Sequence, residues 1–119
     1  MDKISVIVPC YNEEESISLF YKEINKVTKK MKDVSFELIF IDDGSSDKSL
    51  DIIKELSKSD KDIRYISFSR NFGKEAAIYA GLEYCTGDYI TLLDVDLQDP
   101  PKLIEKMYKI ITTEDVDIV

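Results

Sequence analysis

The stretch DYITLLDVDLQDPP, residues 88–101, decides both the fold and the chemistry of this chain. Its apolar part, residues 89–93, is short and rich in β-forming side chains, which predicts a buried strand. Asp94, Asp96 and Gln98 follow, and alternate residues share one face if the chain stays extended. The two prolines that close the stretch favour the start of a helix. The stretch therefore predicts a strand that brings two carboxylates and an amide oxygen to one spot.

These three side chains have two interpretations. Carboxylate and amide oxygens are hard ligands that suit magnesium or manganese, and two carboxylates this close repel one another unless a cation lies between them. The alternative is a solvated turn whose acids cap the helix that follows, because short acidic motifs are common in proteins. The rest of the sequence is needed to choose between these two interpretations.

The rest of the chain alternates between strand and helix patterns. We expect Asn12 and Glu15 to form a capping box at the start of the first helix, and Gly87 to close the third helix in a left-handed conformation. The alternation predicts an α/β fold with three layers and a doubly wound, mostly parallel sheet. A strand order of 3-2-1-4 would bring the ends of strands one, two and four to one ligand crevice. The predicted strands are 4–9, 36–41, 63–68, 89–93 and the beginning of a fifth at 117–119. The predicted helices are 12–32, a second whose apolar face carries Ile52, Ile53 and Leu56, then 75–85 and 100–111.

Composition excludes several classes of function. The chain has 119 residues, which is one domain, and its net charge of −8 argues against nucleic acid as a partner. It contains no histidine, so a histidine-based zinc site, a Ser-His-Asp triad and a histidine general base are all excluded. No apolar run reaches the roughly 18 residues of a membrane-spanning helix, and no secretion signal is present. With two unpatterned cysteines, the sequence predicts a cytoplasmic protein with no membrane span in this segment.

Two other α/β families fit less well. A dinucleotide-binding domain needs a glycine-rich turn after strand one, but this turn is Cys-Tyr-Asn, and residues 13–15 are three glutamates that would repel phosphate from the first turn of the predicted helix. We therefore expect an uncharged group there, such as a base on which Tyr11 stacks. A phospho-acceptor receiver domain has its acid pair after strand one, whereas here the pair follows strand two.

Four motifs in register point to one family: VIVPCYNEEES (6–16), IDDGSSD (41–47), SRNFGKEA (69–76) and LDVDLQDPP (93–101). Together they resemble the inverting, family 2 nucleotide-sugar glycosyltransferases of the GT-A fold. The DLQDPP form of the last motif is similar to that of the dolichyl-phosphate mannose synthases and bacterial polyprenyl-phosphate glycosyltransferases. The resemblance extends over essentially all of the chain.

The resemblance implies a nucleotide-base pocket. In it, Asp43 would hydrogen-bond the base while Asp42 braces the loop, although the two could exchange these roles. For Tyr11 the alternative is a structural contact at the entry to the first helix. The residues implied to line the pocket are Pro9, Tyr11, Asn12 and Glu13.

The resemblance also implies a phosphate and metal site. Asp94 would serve the ribose and the outer shell of the metal, and Asp96 and Gln98 would bind a magnesium or manganese ion that bridges the diphosphate. The two aspartates would be the catalytic residues. Arg70 and Lys74 would meet the diphosphate or an anionic acceptor, with a solvated loop as the alternative for both.

The implied activity is metal-dependent transfer of a sugar from a UDP- or GDP-sugar. The implied acceptor is polyprenyl phosphate, at the inner face of the membrane, or a growing cell-surface glycan. Members of the family continue into an acceptor-binding half, so we expect residues 1–119 to be a truncated, donor-binding half. The alternative is a nucleotide-binding module without activity. An uncovered sheet edge in such a half also predicts a homodimer.

Overall fold

The computed structural model describes residues 2–96 and 103–113. Within them, four parallel strands form one sheet in the order β3-β2-β1-β4. The α/β class and the predicted strand order are therefore confirmed, while the predicted fifth strand at 117–119 lies outside the described residues. None of the helices described is long and apolar enough to cross a bilayer. The elements are β1 (Asp2–Cys10), α1 (Ile17–Lys30), β2 (Val34–Asp42), α2 (Ser49–Ser59), β3 (Ile63–Ser67), α3 (Lys74–Tyr84), β4 (Tyr89–Leu92) and α4 (Leu103–Thr113).

The sheet has apolar side chains on both faces, which gives three layers. On one face, Val6 and Phe40 pack with residues of α1, α2 and α4, and the ring of Phe20 meets that of Phe40 edge to face. On the other face, Ile7 packs against α3. This helix lies close to the sheet because Gly81 faces it, and a Cβ there would come within 2.6 Å of Ile7 Cγ2. The small residues of α3 thus set the distance between helix and sheet.

Strand β4 is more exposed than the sequence predicts. Among the described residues it pairs only with β1, and its side chains Ile90 and Leu92 are each 46% exposed. The strand ends at Leu92, and the backbone turns at Val95 and Asp96. The extended chain on which the predicted shared face of Asp94 and Asp96 depends therefore ends before these residues. Val95 is buried in the core instead, and this contact holds the turn between the two acids.

Helix α1 begins at Ile17, later than the predicted start. Asn12 has a positive φ of 51°, and its side-chain oxygen accepts a hydrogen bond from the Ser46 amide rather than capping a helix. The predicted capping box and the predicted glutamates in the first helical turn are both wrong, since residues 13–15 precede the helix. Asparagine tolerates the left-handed conformation because its short polar side chain can bond locally, and this turn uses that property.

A glycine is needed at position 87 because a side chain there would collide with β1, and not because the backbone is left-handed. Its φ is not among the positive values of the described glycines, so the predicted helix-closing role is wrong. A Cβ at Gly87 would lie 2.6 Å from Ser5 Oγ and 2.8 Å from Ser5 N. The Gly87 amide donates to the same Ser5 hydroxyl. The glycine thus lets the connection from α3 to β4 pass directly over β1.

Glu37 joins three parts of the sheet from a nearly buried position. Its carboxylate accepts hydrogen bonds from the Ser5 hydroxyl at 2.6 Å, the Thr86 amide at 2.6 Å and the Arg64 guanidinium at 3.0 Å. Burial alone would raise the pKa of Glu37, but these hydrogen bonds outweigh it and lower the pKa to about 2. The charged form of Glu37 is therefore a stabilising contact between β1, β2, β3 and the α3–β4 connection.

We predict that Glu37→Gln lowers stability in a pH-dependent way. The folded pKa lies below the ordinary value of 4.5, so the stabilisation is present above that pH and is lost as the pH falls towards 2. Urea unfolding should show a deficit of roughly 2–3 kcal/mol at pH 6 that shrinks below pH 4. Glu55→Gln, which removes an exposed carboxylate paired with Lys58, is the control and should change little. A Glu37→Gln deficit that is independent of pH would contradict this role.

Candidate functional site

An open cavity of about 310 Å³ lies at the carboxyl ends of β1, β2 and β4. This is the edge at which the strand order reverses direction, where ligands of doubly wound sheets bind. The structure brings seven of the predicted site residues to this cavity and leaves Asn12, Asp42 and Arg70 outside its lining. The lining residues are Pro9, Cys10, Tyr11, Glu13, Asp43, Lys74, Asp94, Val95 and Asp96.

One side of the cavity offers an aromatic face beside a carboxylate. Tyr11 follows β1 and is 48% exposed, so its ring is accessible for stacking. The backbone of Glu13 is fixed by a hydrogen bond that its amide donates to Ser49 Oγ at 2.8 Å. Burial raises the pKa of Glu13, and the negative charge of Asp96 raises it further. An uncharged planar group with N–H donors fits this side of the cavity.

Asn12 supports this side from behind. Its amide donates to Ser45 Oγ at 2.9 Å, and its side-chain oxygen accepts from the Ser46 amide at 2.8 Å. These bonds tie the loop after β1 to the loop after β2. Asn12 therefore positions its neighbours Tyr11 and Glu13, whereas the sequence predicted that it lines the pocket itself.

Asp43 is the residue that braces the neighbouring loop. One oxygen accepts a hydrogen bond from the Phe72 amide at 2.7 Å, and the other accepts from the Gly73 amide at 3.0 Å and from Asn71 Nδ2 at 3.1 Å. The family resemblance assigns this bracing role to Asp42 first and leaves an exchange with Asp43 open. The structure supports only the bracing half of that exchange, because Asp42 is buried and lies outside the cavity lining, while Asp43 borders the cavity.

Asp42 points into the protein. As the last residue of β2 it is 2% exposed, and its Oδ1 has no hydrogen-bond partner in the part of the chain that the structure describes. Its register partner is Cys10. Burial, with the charge of Asp42, raises the pKa of the Cys10 thiol, so the thiol stays protonated. Cys10 lines the cavity without being a nucleophile.

The opposite side of the cavity carries an ion pair. Lys74 is the first residue of α3, and its Nζ lies 2.8 Å from Asp94 Oδ1 just beyond β4. Asp96 is exposed on the far side of the turn that Val95 anchors. The sequence identified both charged groups, but nothing in their spacing indicated that they pair. This side of the cavity combines carboxylates with an ammonium group and the amino end of a helix.

Arg70 does not reach the cavity. Its guanidinium stacks over the ring of Phe72, 4.2 Å from the centroid, and Phe68 meets the same ring edge to face. The backbone of Arg70 touches Gly44, whose φ is 71° and where a Cβ would lie 2.2 Å from Arg70 C. The loops after β2 and β3 therefore pack backbone to backbone, and Arg70 lies on their outer side.

The donor set fits a metal ion that is only partly held by protein. Among residues 2–96 and 103–113, no three or more acidic or cysteine side chains are grouped to hold a metal. Asp94 and Asp96 border the cavity, whereas the predicted ligand Gln98 lies outside the described residues. Magnesium is usually bound through one or two carboxylates together with substrate phosphates. The two aspartates fit that kind of site, in which the ligand completes the coordination.

Comparison with protein families and curated proteins gives a consistent result. A family model described as glycosyl transferase family 2 matches residues 5–119. The bactoprenol glucosyl transferase of Shigella phage SfX is 49% identical over 108 residues, which cover 87% of this chain and 35% of that protein. The chain thus spans about a third of the length of such relatives.

Solved structures share the fold. A mannosyltransferase from Pyrobaculum calidifontis, in complex with GDP-Man and Mn²⁺, superimposes with a TM-score of 0.73 at 22% identity, covering 86% of this chain and 30% of that one. TarS 1-349 from S. aureus, in complex with UDP-GlcNAc, gives a TM-score of 0.71 at 24% identity, covering 94% of this chain and 32% of that one.

We predict that Asp43→Asn loosens the loop at the start of α3. The amide replaces one acceptor with a donor that faces backbone N–H groups, so at least one hydrogen bond is lost at a nearly buried position. Amide hydrogen exchange at Phe72 and Gly73 should accelerate, and stability should fall by about 1–3 kcal/mol. Asp51→Asn, at an exposed site in α2, is the control. Unchanged exchange at residues 72 and 73 would show that Asp43 does not brace the loop.

Proposed function

Because the chain belongs to glycosyl transferase family 2, we propose that residues 1–119 form the donor-binding half of an enzyme that transfers a sugar from a nucleoside diphosphate. The observation that carries this proposal is the cavity at the carboxyl ends of β1, β2 and β4. An exposed aromatic ring, Tyr11, stands on one side of it, and Lys74 with Asp94 and Asp96 stands on the other. A base and a diphosphate need these two environments.

The base occupies the side formed by the loop after β1. Tyr11 stacks on it, and the carboxylates of Glu13 and Asp43 accept hydrogen bonds from its N–H groups. The relatives of similar fold were solved with a GDP-sugar and with a UDP-sugar, and both bases carry such N–H groups. Asn12 keeps this side rigid through its bonds to the loop after β2.

The diphosphate occupies the side formed by α3 and the turn after β4. Lys74 and the amino end of α3 attract its oxygens. Asp96 would hold a divalent cation there, and Asp94 would serve the ribose and support that cation. The Pyrobaculum calidifontis enzyme was solved with Mn²⁺, which supports a divalent cation, magnesium or manganese, here. Bound at this place, such an ion neutralises the charge of the departing diphosphate.

The acceptor we propose is a polyprenyl phosphate, in keeping with the bactoprenol glucosyl transferase relative. A phosphate oxygen is already anionic and attacks the sugar without a strong general base. The chain contains no histidine that could act as one. We place this reaction on the cytoplasmic side of the membrane, where the two free thiols, Cys10 and Cys85, stay reduced.

A second candidate function is nucleotide binding without transfer. It is favoured by the coverage of the relatives, because the matched residues make up 35% of the Shigella phage protein. In that case the cavity binds the donor in the same way, and turnover requires further parts of a longer protein. The two functions share one site and differ in turnover.

The proposed donor site predicts metal-dependent nucleotide binding. In calorimetric titrations, UDP or GDP should bind more tightly with Mg²⁺ or Mn²⁺ than with a chelator, because a cation held at Asp96 would attract the diphosphate. Asp96→Ala should weaken diphosphate binding by about tenfold or more while nucleoside binding changes little.

Asp62→Ala, at an exposed acidic site after α2, is the control for this titration. Equal losses of nucleoside and diphosphate binding in Asp96→Ala would contradict the division between a base side and a phosphate side. Nucleotide binding that ignores the metal would contradict the donor site itself.

We also propose that β4 is a self-association edge of this chain. It is the outer strand of the described sheet, and the exposed side chains of Ile90 and Leu92 lie along it. Light scattering at about 100 µM should show a dimer, and Leu92→Lys should lower the dimer fraction. Leu19→Lys, at an exposed site on α1, is the control. A monodisperse monomer at that concentration would contradict the proposal.

A further inference from the structure

The cavity carries more negative than positive charge before any ligand enters. The charged residues among its described lining are Glu13, Asp43, Asp94 and Asp96 against Lys74. Asp43 already accepts hydrogen bonds from two backbone N–H groups of the loop before α3, and the other three carboxylates share the described lining with one ammonium group. The raised pKa of Glu13, due to burial and then to the charges of Asp96 and Asp94 among other groups, is consistent with this crowding. Lys74 therefore supplies the positive charge of the described lining.

The backbone of Lys74 is held in place, whereas its long side chain is exposed. Its backbone begins α3 directly after Gly73, whose amide is held by Asp43. Its side chain is 60% exposed, and its partner Asp94 is 33% exposed. Exposed ion pairs of this kind are weak, and lysine has a flexible stem with a compact charge. The ammonium group can leave Asp94 while the Lys74 backbone stays in place.

From this geometry we propose that Lys74 is a coupling residue that exchanges partners: it neutralises Asp94 in the free protein and moves to a phosphate oxygen when the donor binds. The proposal rests on the donor site proposed above and adds to it a reason for cooperative binding. Asp94 becomes available to a metal ion only when the ammonium group has another anion to pair with. The metal ion and the diphosphate then bind more tightly together than either does alone.

The sign of this coupling makes it testable. Without nucleotide, Lys74 opposes a metal ion by its charge and by holding Asp94. With nucleotide, it attracts the diphosphate. Removing the charge should therefore strengthen metal binding alone and weaken diphosphate binding, two opposite effects of one substitution. A lysine that only stabilises the fold would not produce them.

The test uses Lys74→Met, which keeps most of the aliphatic stem and removes the charge. Binding of Mn²⁺ alone is measured from the free Mn²⁺ signal in electron paramagnetic resonance, and binding of UDP and GDP in the presence of Mn²⁺ by calorimetry. For Lys74→Met we expect Mn²⁺ affinity to rise about three- to tenfold and diphosphate affinity to fall by a similar factor. Lys74→Arg, which keeps the charge, should leave Mn²⁺ affinity within about twofold of the original protein.

Lys58→Met is the matched control, because Lys58 is also exposed and also paired with a carboxylate, that of Glu55. It should change neither affinity. Mn²⁺ binding to Lys74→Met that is equal to or weaker than that of the original protein, or undetectable in both, overturns the proposed exchange. Failure of the original protein to bind UDP or GDP with Mn²⁺ would instead overturn the donor site, and the Mn²⁺ measurement separates the two results.

Discussion

The interaction on which the site depends is the set of hydrogen bonds between the Asp43 carboxylate and the loop that starts α3. Three donors, the amides of Phe72 and Gly73 and the side chain of Asn71, converge on it. The bonds join the end of β2 to the beginning of a helix that packs on the other face of the sheet from α1. Gly44 is part of the same constraint, since a side chain at its φ of 71° would strike the backbone of Arg70. Both loops must approach this closely before Lys74 can reach Asp94.

The proposed site offers a way for an acidic chain to bind an anionic ligand. The net charge of −8 would repel a diphosphate, and the cavity itself is lined by carboxylates. In the proposed site, the ammonium group of Lys74, the amino end of α3 and a cation at Asp96 would reverse this balance locally. On this account the carboxylates are not opposed to phosphate binding, because they hold the cation that makes it favourable. In the ligand-free protein, Lys74 and Asp94 neutralise each other's charges.

The sequence predicts the layers well because strand and helix periods alternate clearly, and the strand order follows from a common topology. It fails where one side chain decides the local backbone. Asn12 adopts a left-handed backbone conformation, so α1 begins later in the sequence than predicted. The Asn12 side chain accepts a hydrogen bond from a loop more than thirty residues away. Asp43 takes the bracing role expected first of Asp42, because β2 runs through Asp42, whose carboxylate is buried, while the next carboxylate lies in the loop. The Lys74–Asp94 pair joins the first residue of α3 to a residue just after β4. Because the two are far apart in the sequence, no short-range pattern could reveal the pair.

The measurement that tests the central claim most directly is a crystal structure with UDP or GDP and Mn²⁺, using the anomalous scattering of manganese. The account predicts a manganese peak beside the Asp96 carboxylate in contact with the diphosphate, the base against Tyr11, and Lys74 Nζ moved from Asp94 to a phosphate oxygen. A nucleotide bound away from the carboxyl ends of β1, β2 and β4, or bound there without a manganese peak, would contradict it.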